Sequence, residues 1–241
     1  MATIFFKEIN SFFSSLIGYI VIGVFILMMG LVMFVFPDYS ILNTNFASLD
    51  QLFDIAPMIF LFLIPAITMR SFSEENQTGT IELLMTRPLK EWQIILGKFL
   101  ANWALVAIAL LPTLLYYFTI YQLGSPKGNL DTGGIIGSYI GLLLLAGVFA
   151  AIGLFASSLT KNQIIAFILA MFLCFFVHWG FDFFSRLPIF VGKSDAFIQS
   201  LGLSYHYQSI SRGVINLSDT IYFASVITFF IFCTQTALEK K

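Results

Sequence analysis

Charge is scarce in this sequence. Asp, Glu, Lys and Arg make up 10% of its 241 residues and 59% are apolar, against roughly 25% charged in a typical soluble domain. A water-soluble fold cannot cover that much apolar surface. Net charge is −1, so there is no basic field to recruit nucleic acid. Cysteine is limited to Cys174 and Cys233, which sit in separate apolar runs without CxxC spacing; this excludes a disulfide framework or a zinc signature and leaves them as small packing residues. A nucleotide-binding loop is missing as well. Gly192-Lys193-Ser194 imitates its end, but the phosphate loop needs a glycine five residues before Gly192, and position 187 is leucine.

What the sequence does have is long uncharged runs. A bilayer core of about 30 Å takes about 20 apolar residues per helical span. The runs predict an all-α polytopic membrane protein with six spans, at about 12–36, 49–69, 99–122, 135–160, 164–184 and 221–238, forming a single domain. The first run is too long for a signal-peptide core and has no small-residue cleavage site, so it reads as a retained helix. Six spans place both termini on one side. With the N-terminus cytoplasmic, the inner segments hold eight of the 12 Lys and Arg residues and the outer ones four, the orientation that the positive-inside rule favours.

Asp50 and Asp54, four apart and so on one helix face, fall at the outer boundary of the second span. Carboxylates at that depth are candidates for a pathway or an interface. Pro57, Pro65 and Pro112 lie inside presumed spans and should bend them. Small residues, among them Gly137, Gly141, Gly147 and Gly153, pepper the fourth span, where they would admit a close neighbour from this chain or from another subunit. The stretch 185–220 is too polar to span and too apolar for a free loop, which suits helices lying at the interface or dipping into it.

The charge that exists is concentrated. Eight of 25 charged side chains fall between Arg70 and Lys98, in a loop of residues 70–98 that the topology puts in the cytoplasm. Thr78-Gly79-Thr80 offers a helix start, Glu82 suits the first turn, and Pro88 should close the helix near Arg87. On that short helix Ile81, Leu84 and Met85 share one arc while Glu82 and Thr86 share another. A helix so brief is not stable alone and needs a surface to pack on.

The run FSEENQTGTIELLMTRPLKEWQIILGKFLA resembles the first cytoplasmic loop of ABC-2-type transporter permeases. Their pattern is an acidic pair, Ser/Thr-Gly-Thr, Glu-Leu-Leu, a threonine, a proline and a Gly-Lys entering the third helix. Glu74-Glu75, Thr78-Gly79-Thr80, Glu82-Leu83-Leu84, Thr86, Pro88 and Gly97-Lys98 occupy those places here. The stretch SRGVINLSDTIYF, beginning at Ser211, is similar to the family's approach to its last helix. In length and wording the chain is also similar to the GldF-type permeases associated with gliding motility.

The resemblance implies an exporter subunit of the inner membrane, paired with a second permease, and a coupling helix seated in a separate cytoplasmic ATPase that would bind ATP and magnesium. Ile81, Leu84 and Met85 would then be apolar anchors. Glu74, Glu75, Glu82 and Arg87 would form the charged rim, with Thr78, Gly79, Thr80 and Thr86 completing the contact.

Two rival readings carry less. Glu74-Glu75 resembles the start of the Glu-Glu-x-x-x-Arg motif of membrane-embedded glutamate proteases, but position 79 is glycine; a loop also lacks the buried site that would tune a carboxylate for base catalysis. No enzyme activity is expected. Cys174, His178 and Asp182 follow an i, i+4, i+8 course that could line a metal-binding stripe. One helix rarely completes a coordination shell, so packing and a His178–Asp182 hydrogen bond are expected instead.

Overall fold

The structure, a computed structural model, describes residues 1–37, 39–41, 48–80, 90–189, 195–214 and 216–239. Every regular element among these residues is helical. An amphipathic helix, α1 (Ala2–Ser14), meets α2 (Leu16–Phe34) at a corner on Ser15, whose backbone is extended. The Ser15 hydroxyl donates to Phe12 O at 2.9 Å and accepts from Gly18 N at 3.3 Å, capping α2. A Cβ at Gly18 would sit 2.4 Å from Phe12 O, so only glycine lets the chain turn this tightly. The expected first span is therefore two helices, with Phe12 and Phe13 belonging to α1.

The second span, α3 (Asp50–Thr68), carries Pro57 and Pro65 and leads through a turn into α4 (Ser73–Thr78). The third begins earlier than expected, at α5 (Glu91–Leu110), because the Gln93 side chain accepts the Lys90 N–H and helps fix the helix start. A 3₁₀ turn around Pro112 joins it to α6 (Leu114–Leu123). Then follow α7 (Thr132–Leu159), α8 (Gln163–Phe175), a π turn (Phe176–Gly180), α9 (Phe181–Ser185), α10 (Asp195–Ser200), α11 (Leu203–Ile210) and α12 (Leu217–Glu239). Six helical stretches among these residues are long and apolar enough to cross a membrane.

The axis of the bundle is α7, whose most apolar window is 78% buried, whereas that of α2 is 22% buried. Helices α3, α5, α8, α11 and α12 pack around α7. Lipid tails are as apolar as leucine, so contacts within the bundle depend on close packing rather than on escape from water. The small residues of α7 supply it within this chain: a Cβ at Gly153 would lie 2.0 Å from Thr68 Oγ1 of α3, and one at Gly137 would lie 2.8 Å from Gly213 Cα. Gly153→Leu should lower stability by ~1–3 kcal/mol through overpacking. Thermal unfolding in detergent would show this as a lower midpoint, whereas Gly23→Leu, at a site with no neighbour within 4 Å, should leave the midpoint in place.

Between the fifth and sixth spans, α11 packs into the bundle with Leu203, Tyr207 and Ile210 buried. The Tyr207 hydroxyl donates to Phe53 O of α3 at 2.7 Å. Phe197, Leu201 and Tyr205 remain exposed, so the segment dips inward on one side and presents aromatics on the other.

Candidate functional site

The base of the charged loop is built from a turn and one short helix. Phe72 is buried, the Ser73 hydroxyl donates back to Met69 O, and Glu74 and Glu75 open α4, where the helix dipole favours negative charge. Gly79 closes α4 in the left-handed conformation, φ 71°, which glycine adopts without strain. Gly79 thus ends α4, and the short helix expected to follow it lies outside the described residues from position 81 onward. Thr78 Oγ1 donates to Glu74 O at 2.9 Å and lies 2.9 Å from Thr80 Oγ1.

Beneath α4 is a buried ion cluster. Lys98 lies two turns into α5, on the face shared by Ile94, Ile95 and Asn102, and its side chain is 1% exposed. Its Nζ reaches Glu8 Oε1 at 2.8 Å, Glu75 Oε1 at 2.9 Å and Ser71 O at 2.6 Å. An ammonium has three donors, and all three are used. The Phe72 ring lies 5.1 Å from the same nitrogen, within cation–π range. Lys7 approaches from α1, 3.1 Å from Glu75 and 3.4 Å from Glu8, which brings the cluster to neutrality. Burial draws the Lys7 pKa down, and the two carboxylates more than offset it, leaving it above lysine's ordinary 10.5. Its contribution is therefore fully present below that value and lost only as the pH climbs past it.

Polar contacts tie α4 to every neighbouring corner. Asn102 Nδ2 donates to Ser71 Oγ at 2.8 Å, and Arg70 pairs with Glu74 at 3.2 Å while reaching Ser15 Oγ at 3.4 Å. Asn76 Nδ2 donates to Ser158 O and Thr160 O, both at 3.4 Å, at the turn between α7 and α8. One short helix thus joins the α1–α2 corner, α5 and the α7–α8 corner. The Lys98 and Asn76 contacts are the costly ones to break, since each would strand a buried polar group.

Of the residues singled out in the sequence, Glu74 is half-exposed on the rim, but Glu75 turns inward onto Lys98. Ile81, Glu82, Leu84, Met85, Thr86 and Arg87 lie outside the described residues. Asp50 and Asp54 share the exposed face of α3. Asp50 lines a small polar cavity of about 160 Å³ with Asp131 and Arg212, and Met58 and Phe62, farther along the Asp54 face, line apolar grooves against α2 and α8.

Asp182 pairs with Arg186 at 2.8 Å and accepts from Gln199 Nε2 at 3.3 Å, so the expected His178–Asp182 hydrogen bond does not form. The π turn at Phe176–Gly180 breaks the i, i+4 register that would align them. His178 packs instead against Phe149, Trp179 and Tyr207.

Sequence reasoning did not foresee the inward course of Lys98 and Glu8. A signal was present in both. Lys98 interrupts an apolar helix at the register of Ile94 and Asn102, and Glu8 falls four residues from both Ile4 and Phe12 on the buried side of α1.

Residues 2–238, nearly the whole chain, match the ABC-2 family transporter protein profile. The chain belongs to the ABC-2 transporter family. Comparison with curated proteins gave no match. An ABC-2 protein is a membrane-spanning permease that is not itself catalytic; ATP is hydrolysed in a partner subunit, and the permeases generally work as dimers. Membership accords with the six apolar helices among the described residues.

Proposed function

We propose that this ABC-2 permease couples ATP hydrolysis in a separate cytoplasmic subunit to export across the inner membrane, with residues 79–90 as the docking segment. The observation that carries this reading is the Lys98 cluster, which together with Asn76 anchors the base of the loop to three parts of the bundle at once. A docked motor pulling on Gly79 would move α4. Through Lys98, Glu8 and Asn76, that displacement would reach α5, α1 and the α7–α8 corner together.

The excess of Lys and Arg on the loop side supports cytoplasmic termini. A second permease, identical or related, would form the path with this one, and Asp50 and Asp54 on the open face of α3 would lie beside it. Asp182, held by Arg186 and Gln199, would lie at its outer edge. Export follows the ABC-2 permeases that the loop resembles, and a place in gliding-motility machinery rests on the chain's similarity in length and wording to the GldF-type permeases.

A purified ATPase partner should hydrolyse ATP several-fold faster when reconstituted with this chain in lipid vesicles than alone. An unchanged rate would favour a passive channel or scaffold instead.

A further inference from the structure

Among the six spans α2 is the least buried, and between it and α3 runs an open groove of about 580 Å³. Every side chain lining it is apolar. Phe25 of α2 and Leu63 of α3 are buried beneath it, while Val24 and Met28 stand exposed along it. On α2 the lining extends from Ile20 to Val32, a length of ~18 Å at 1.5 Å per residue. Half of a ~30 Å hydrocarbon core is ~15 Å, so the groove has about the depth of one leaflet. A groove of that volume and length averages ~6 Å across, against the ~10–12 Å of a helix with its side chains. It fits a hydrocarbon chain rather than another helix.

The end of the groove nearest the charged loop is polar. Ile20 and Ala66 line that end, and about one turn beyond them Ser15 and Arg70 bridge α2 and α3. Arg70 Nη1 donates to Ser15 Oγ at 3.4 Å, and Arg70 Nε donates to Glu74 Oε2 at 3.2 Å. A guanidinium has five N–H donors, and Nη2 has no partner among the described residues. The Arg70 side chain is 25% exposed and that of Glu74 46%. A cation and an anion thus stand side by side, open to a ligand, at the mouth of an apolar slot.

A phospholipid with an aminoethyl headgroup carries the complementary pair. Its phosphate suits the guanidinium fork, and its ammonium, two carbons away, suits the neighbouring carboxylate. A phospholipid without the amine would meet Glu74 as a like charge, and a diacylglycerol offers Arg70 no charge at all.

We propose that the groove between α2 and α3 binds one zwitterionic amino-phospholipid from the leaflet on the loop side, with an acyl chain along Val24 and Met28 and the headgroup on Arg70 and Glu74. The lipid would supply the close packing beside α2 that the chain itself leaves out, and would tie the α1–α2 corner to the base of the loop. A second copy of the chain seated on this face would leave no room for it. The inference depends neither on ATPase docking nor on which compartment the loop faces.

Native mass spectrometry of the full chain tests it, after incubation in detergent with equal amounts of phosphatidylethanolamine, phosphatidylglycerol and diacylglycerol of matched acyl chains. The parent should hold one phosphatidylethanolamine per chain with about tenfold preference over either competitor, the scale of one charge-assisted hydrogen bond. Glu74→Gln should lose the preference over phosphatidylglycerol and keep that over diacylglycerol, whereas Arg70→Gln should lose most of the preference over diacylglycerol. Ala66→Trp, which fills the end of the groove nearest the loop, should abolish retention of all three. Parent chains that hold the three lipids equally would overturn the site, as would chains or dimers that hold none, or preferences left unchanged in Arg70→Gln. Should Arg70→Gln fail to fold, the parent's preference and that of Glu74→Gln decide.

Discussion

Lys98→Met should destabilise the protein by ~3–5 kcal/mol, because it strands Glu8 and Glu75 in a buried site without their shared cation. Lys7 cannot replace it, since its side chain is 59% exposed and stands at 3.4 Å from Glu8 where Lys98 stands at 2.8 Å. Glu75 already has one buried oxygen, Oε2, with no partner, so losing the bond to the other leaves the carboxylate with little but Lys7.

Arginine is a poor substitute in a site 1% exposed, because the planar guanidinium needs more room than a compact ammonium. The triple replacement Lys98→Met, Glu8→Gln, Glu75→Gln should recover most of the loss, as removing a whole buried ion network is often close to neutral. Thermal unfolding of the purified variants would show it, and a single Lys98→Met variant as stable as the parent would refute the role given to the cluster. The triple variant also separates folding from coupling. It should still bind the ATPase but no longer raise its hydrolysis rate, since the loop would be docked on a base that no longer grips α1 and α5.

The second large effect is on association. Leu84→Asp places a carboxylate on the arc shared with Ile81 and Met85, and an anchor of that kind typically contributes ~2–4 kcal/mol, or roughly thirty- to several-hundredfold in affinity. The variant should insert normally in the membrane and fail to retain the ATPase on an affinity column. Glu82→Gln, on the other arc, should change association far less, because rim charges set register and on-rate more than affinity. Equal retention of Leu84→Asp and the parent would remove the docking assignment while leaving the Lys98 cluster and its stability prediction intact.

Particular residues show where sequence reasoning stopped. The spans were legible because each is a run of about 20 apolar residues, and the bilayer demands that length of any helix. Ser15 was not readable as a corner: a serine within an apolar run can equally hydrogen-bond back to its own helix. The π turn that parts His178 from Asp182 was equally hidden, since a period of 3.6 residues is assumed before any stripe is drawn. In the sequence Lys98 is one more charge of the loop, because the start of α5 falls within the charged stretch, and only the positions of α1 and α4 beside it bring two glutamates onto one ammonium.

By itself the sequence determined the class of the molecule, its six spans and the place where its charge gathers, because hydrophobic length and loop polarity act locally against the membrane. Which charges face inward and which glycines hold helices together were decided by the tertiary structure alone. Those properties depend on pairs of atoms as much as 90 residues apart, such as Lys98 and Glu8, and no local pattern records how distant segments come to share one buried site.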